Sequence, residues 1–274
     1  VIAVNEIWLQ SRSPYIITGN MLVKELATLS LMPGTEVEFN GAKRHIMVQG
    51  NIMAYGSADA LVKISTDPVY NYSGGENGDQ SAIIYDTANN KASEFNYTEL
   101  NYLKVYSDYT EARDRHYNPA PVTISNSNVD AYSGSYADFH IQNFNNSTYN
   151  EFGSGLYDTW SLEYYGGVRI YSSTNSTFNK LNLYSEEQST TSNFIARIDR
   201  TTNSTFNGAK FYFSSGSIEN STFNNATAER ASTITNTTFT DSEITSSNPL
   251  RLTDSNLINT DVNLTGDNTR LTMH

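Results

Sequence analysis

The chain has 274 residues, a formal net charge of −12 and no cysteine. The acidic balance argues against nucleic acid and against an anionic membrane surface as partners, since both need Lys/Arg-rich patches. Absent cysteine removes disulfides, thiol catalysis and thiolate metal sites, and no run of residues approaches the roughly 18 apolar positions of a membrane span.

The chain opens at Val1 with neither Met nor a signal peptide, and is read as a mature or excised piece of a longer protein. Its first 65 residues are divided by Gly and Pro into short strand-like runs. Pro14–Gly19 opens one strand, and Ala27–Gly34 alternates and stops at a Pro-Gly turn. Thr35–Phe39 alternates with Val37 and Phe39 on one face; Ile46–Gly50, Asn51–Gly56 and Leu61–Ile64 follow. These are the strands needed to wind the first turns of a solenoid.

From residue 95 onward a phrase recurs in which an apolar residue is answered five positions later by another across Asn, Ser and Thr. It reads Phe95 with Leu100, Ile124 with Val129, Ile218 with Phe223, Ile234 with Phe239 and Leu252 with Leu257. Three further copies read with a spacing of eight: Ile141 with Tyr149, Ile170 with Phe178 and Ile198 with Phe206. The second apolar residues, Leu100 to Leu257, are separated by 29, 20, 29, 28, 17, 16 and 18 residues. Such steps are too short for helical repeats and suit single turns of a parallel β-helix. Asn, Ser and Thr between the apolar pair then form the bend, because they tolerate left-handed backbone and bond to nearby main chain. Stacked Asn side chains are expected to form hydrogen-bonded ladders. The same chemistry accounts for N-glycosylation sequons such as Asn175-Ser-Thr, Asn203-Ser-Thr and Asn220-Ser-Thr. Leu, Ile, Val and Phe make up 59 of the 274 residues, a fraction of about 22% that suits the thin core of a solenoid.

The runs Ser13–Gly19, Ala27–Phe39 and Gly50–Gly56, preceded by Trp8, resemble the opening of secreted right-handed parallel β-helix proteins of the pectin-lyase-like superfamily. The resemblance covers about 50 residues and implies that fold; the superfamily includes lyases, hydrolases, tailspikes and adhesins, so fold leaves function open. The expected architecture is therefore a single all-β, right-handed parallel β-helix of roughly ten turns. A cap and first turns occupy 1–65, long-loop turns 66–205 and short turns 206–274.

Catalytic signals are sparse. The Asp-Asp and Gly-His-Gly motifs of polygalacturonase-type hydrolases are missing, and Val168-Arg-Ile170 only echoes their Arg-Ile-Lys element, with Tyr171 in place of the lysine. Glu111–His116 holds the one basic cluster. It reads as a lyase site, with Arg113 or Arg115 as base and His116 as proton donor, or as a solvated, locally paired loop. The four histidines, His45, His116, His140 and His274, match no metal-ligand spacing, and Gly74–Asp79 is a single loop-tip run rather than a calcium repeat. No catalytic residue, metal or cofactor is assigned.

Seventeen of the 19 tyrosines lie between Tyr55 and Tyr184, concentrated in the longest turns. Tyr and Trp offer stiff apolar faces with polar edges, which suits stacking on pyranose rings; the alternative is that these rings pack the loops onto the flank of the helix. The candidate ligand-binding residues are Tyr106, Tyr109, Tyr117, Tyr157, Trp160, Tyr164 and Tyr165. The expected function is a non-catalytic extracellular or cell-surface adhesin attaching to a polysaccharide such as cellulose. A neutral glycan is favoured, because the acidic chain repels a uronate. The tapirins, cellulose-attaching surface proteins with a β-helix, are a family it resembles in this sense. A polysaccharide lyase or hydrolase and a passive spacer are the alternatives.

Overall fold

The computed structural model describes residues 1–41, 43–66, 81–86, 91–107, 120–132, 138–152, 167–181, 194–208, 210–213, 216–247, 249–265 and 271–273. They form a parallel β-helix. Each strand bonds in parallel to the strand one turn before it and one turn after it, and the sole helical element among the described residues is a 3-10 turn, Gln10–Arg12.

Every turn contributes to three faces. The first face begins with Glu6–Trp8, Thr28–Leu31, Asn51–Tyr55, Ser93–Asn96 and Ala120–Ser125. The second is a separate eleven-stranded ladder from Tyr15–Ile17 to Asn256–Ile258, one rung more than the ten or so turns expected. The third begins with Met21–Val23, His45–Val48, Ala82–Tyr85 and Lys104–Ser107. In the middle turns the third and first faces share long strands, Asp138–Asn145, Gly167–Thr174 and Phe194–Thr202, which run through the corner between them. The two faces separate again into Lys210–Phe213 and Ser217–Glu219.

The repeat read from sequence is the register of the second face. Leu100 pairs with Val129, then Tyr149, Phe178, Phe206, Phe223, Phe239 and Leu257 follow one rung at a time. Aromatic rings stack where Phe occupies successive rungs: Phe178 on Phe206 at 5.1 Å, Phe206 on Phe223 at 4.5 Å and Phe223 on Phe239 at 4.6 Å. Phe211 from the third face meets Phe206 edge-on at 4.7 Å, so two faces share one aromatic core. Each such fully buried ring contributes roughly 1.5–3 kcal/mol by removal from water.

The three copies with a spacing of eight are corrected. In register, Ile124 pairs with Phe144, Phe144 with Ser173, Ser173 with Thr201 and Thr201 with Ile218. The five-residue spacing therefore persists, with Phe144, Ser173 and Thr201 filling the rung and both polar residues about 1% exposed. Ile141, Ile170 and Ile198 form a different stack, continued by Phe213. That stack exists because the long strands carry an additional inward position through the corner.

The bend between the first and second faces explains the Asn-Ser/Thr sequence. Asn126, Asn146, Asn175, Asn203, Asn220 and Asn236 all have φ between 47° and 52°, the left-handed region that Asn tolerates. The following residue is buried, and its hydroxyl serves two turns. The N–H of Ser127 donates to Ser147 Oγ, Ser147 to Ser176, Ser176 to Ser204, Ser204 to Ser221 and Ser221 to Thr237 Oγ1. Each hydroxyl donates in turn to the carbonyl two residues before it, as Ser147 does to Asn145. Main-chain donors that would otherwise be buried without partners are thereby satisfied.

At the N-terminal end Trp8 is buried and lies flat on Tyr15, with centroids 4.3 Å apart. Gly34, at φ +76°, makes the Pro-Gly turn possible. A Cβ at Gly50 would stand 2.0 Å from the Ala27 carbonyl oxygen, so the turn closes there only around glycine.

Candidate functional site: the third face

Strand register assembles on the third face residues that are far apart in sequence. Leu22 is followed by Met47, Ile84 and Tyr106 at one register position, all half-buried. Val105 pairs with Phe139, which puts His140 on the next rung after Tyr106. His140 then pairs with Arg169, Arg169 with Arg197, Arg197 with Tyr212 and Tyr212 with Glu229. Two arginines and a histidine thus occupy consecutive rungs, about 4.8 Å apart, in a chain of net charge −12. Their neighbours along the strands, Val105, Phe139, Ile141, Ile170 and Ile198, are buried and tie the column to the core.

The longest connections open at the edges of this face. Residues 67–81, 153–166 and 182–193 each lead from the second face to the third, and 108–119 lead from the third face to the first. Of the candidate aromatic residues, Tyr106 lies in the strand Lys104–Ser107. Tyr109 and Tyr117 fall in the connection 108–119, and Tyr157, Trp160, Tyr164 and Tyr165 in 153–166; these six, and the Glu111–His116 cluster, lie outside the described residues.

One aromatic–cation pair was not anticipated from sequence. The guanidinium carbon of Arg200 stands 5.1 Å from the ring centroid of Tyr171, whose side chain is 45% exposed. Both residues lie in the long strands that join the third face to the first, Tyr171 two residues after Arg169 and Arg200 three after Arg197. The signal that would have found the column is its spacing. His140 to Arg169 and Arg169 to Arg197 are steps of 29 and 28, the same as those separating Tyr149, Phe178 and Phe206.

The described residues hold no group of three or more His, Asp or Glu able to bind a metal ion. Tyr85 is fully buried inside the third face. Burial drives its phenol pKa well above the ordinary value, with the Ser93 hydroxyl acting in the other direction. The ion pair Lys63–Glu36, at 3.8 Å, is solvent-exposed and lies on the second face, away from the column. No helix among the described residues is long and apolar enough to cross a membrane. No family model, no curated protein and no solved structure matches the chain.

Proposed function

We propose that the protein is a non-catalytic extracellular binding module that attaches to a polysaccharide, with the third face and the connections along its edges as the ligand surface. The observation that carries this reading is the column Tyr106, His140, Arg169, Arg197 and Tyr212, one residue per rung. A glycan running along the solenoid axis is itself a linear repeat, and aromatic and cationic residue types, which suit stacking and hydrogen bonding to sugars, recur here once per rung. The aromatic content of the bordering connections and the resemblance of the first turns to secreted pectin-lyase-like proteins support the same reading. The net charge argues for a neutral glycan, whereas the two arginines favour acidic groups along this particular face.

A polysaccharide lyase is the second reading. It is favoured by the neighbouring rungs of His140, Arg169 and Arg197, since such a reaction needs a base and cations that neutralise a uronate. A panel of insoluble and soluble polysaccharides, neutral and acidic, separates the readings. The binding module is depleted from solution by at least one member and releases no unsaturated or reducing ends. Product release would establish the lyase, and binding to no member would remove the proposal.

A further inference from the structure

The second face carries an array that polysaccharide attachment through the third face does not use. Over five consecutive rungs its two non-core positions read Thr148 and Asn150, Thr177 and Asn179, Thr205 and Asn207, Thr222 and Asn224, Thr238 and Thr240. All pair in register and none is displaced by a bulge. The residue between each pair, Tyr149, Phe178, Phe206, Phe223 or Phe239, is buried, so the Thr and Asn side chains stand on the solvent side, half-buried or exposed. Like residues repeat at about 4.8 Å across the strands, and Thr and Asn at about 6.6 Å along them.

The array is held rigid. Asn179 Nδ2 donates to Asn150 Oδ1 at 2.9 Å, Asn207 to Asn179 at 2.8 Å and Asn224 to Asn207 at 2.9 Å. Asn179 and Asn207 each donate once and accept once in the ladder, and Asn150, where it begins, donates to the Asp130 carboxylate at 2.9 Å. Beneath it the stacked phenylalanines, 4.5 to 5.1 Å apart, prevent the rungs from sliding.

Strand propensity favours threonine on any exposed β-face, but it does not require this uniformity. On the first face the corresponding position reads Met53, Glu94, Thr123, Asn143, Ser172 and Arg200. The second face keeps threonine at one position through five turns and asparagine at the other through four, with no charge among these ten residues, although the chain carries −12. A charged surface imposes its own orientation on water. A neutral lattice of hydroxyls, methyls and amides held in register instead orders water in a repeat set by the strands. Ice presents a neutral lattice of hydrogen-bonding groups with a similar short repeat.

We propose that the second face, from Thr148 to Thr240, adsorbs to ice crystals. Binding to a growing lattice needs the protein groups fixed before contact, so that little ordering cost remains on adsorption, and the amide ladder and aromatic stack supply that. The face is separate from the third-face column, so this proposal and polysaccharide attachment fail or stand independently.

The test is partition of the protein into a slowly growing ice hemisphere, together with thermal hysteresis, for the wild type, T205K/T222K and the first-face control T123K. Circular dichroism and Tm are measured in parallel. The wild type is expected to enter the ice and to depress freezing below melting. T205K/T222K should lose both properties with its Tm unchanged, and T123K should keep them. Exclusion of the wild type from ice, or full retention of activity by a folded T205K/T222K, would overturn the proposal. So would loss of polysaccharide binding by T205K/T222K with ice partition intact, which would assign this face to a glycan instead.

Discussion

The N–H of Ser204 donates to Ser221 Oγ at 3.2 Å, and the Ser221 hydroxyl donates to the carbonyl of Glu219 at 2.8 Å. One buried hydroxyl thus satisfies its own bend and the bend of the turn below. Repeated along the corner, this relay lets a chain with few large apolar residues stack turns without leaving buried main-chain donors unpaired.

Replacing Ser221 by Ala strands the Ser204 N–H and is expected to cost about 1–3 kcal/mol. Ser221→Thr should be nearly neutral, because Thr237 already fills the equivalent position one turn later. Denaturant titration of the two variants checks the contrast. Equal destabilisation would mean that the hydroxyl matters less than the space it occupies.

Phe206 lies between Phe178 and Phe223 and meets Phe211 edge-on. Phe206→Ala opens a cavity in the most aromatic part of the core and is expected to cost about 3–5 kcal/mol, with Phe206→Leu costing distinctly less. The measurement is the midpoint of urea unfolding at constant slope.

Thr201 is about 1% exposed, and its hydroxyl has no hydrogen-bond partner among the described residues. The same rung is filled by Ile218 one turn later. Thr201→Val should therefore raise stability by about 1 kcal/mol, since it removes a buried, unpaired polar group with little change of shape. A lower Tm would show that the hydroxyl is paired.

Asn220 has φ +48° and accepts from Asn236 Nδ2 at 2.8 Å. Asn220→Gly should be tolerated, because glycine adopts this backbone freely. Asn220→Val should cost about 1–2 kcal/mol from left-handed strain alone. Comparing their Tm values separates backbone conformation from the amide ladder.

The scaffold was legible because its signal is periodic: the steps between Leu100 and Leu257 are the register of the second face. Ser173 and Thr201 went unread, with Ile170 and Ile198 taken in their place, because a rung defined by apolar character cannot show a polar residue that the stack buries through its position. The third-face column was hidden for another reason. Connections of unequal length separate Tyr106 from His140, and only strand pairing brings them to adjacent rungs. Of the aromatic residues singled out from sequence, Tyr106 falls on that column. The other six lie outside the described residues, in connections that begin or end on the third face.

If the third face holds the ligand, R169A/R197A should bind polysaccharide more weakly than the wild type. The two arginines occupy paired rungs, and losing both should weaken binding at least about tenfold, since hydrogen bonds to charged groups contribute roughly 1.5–3 kcal/mol each. The circular dichroism spectrum and Tm should stay unchanged. Wild-type affinity in the folded double variant would mean that the ligand binds elsewhere.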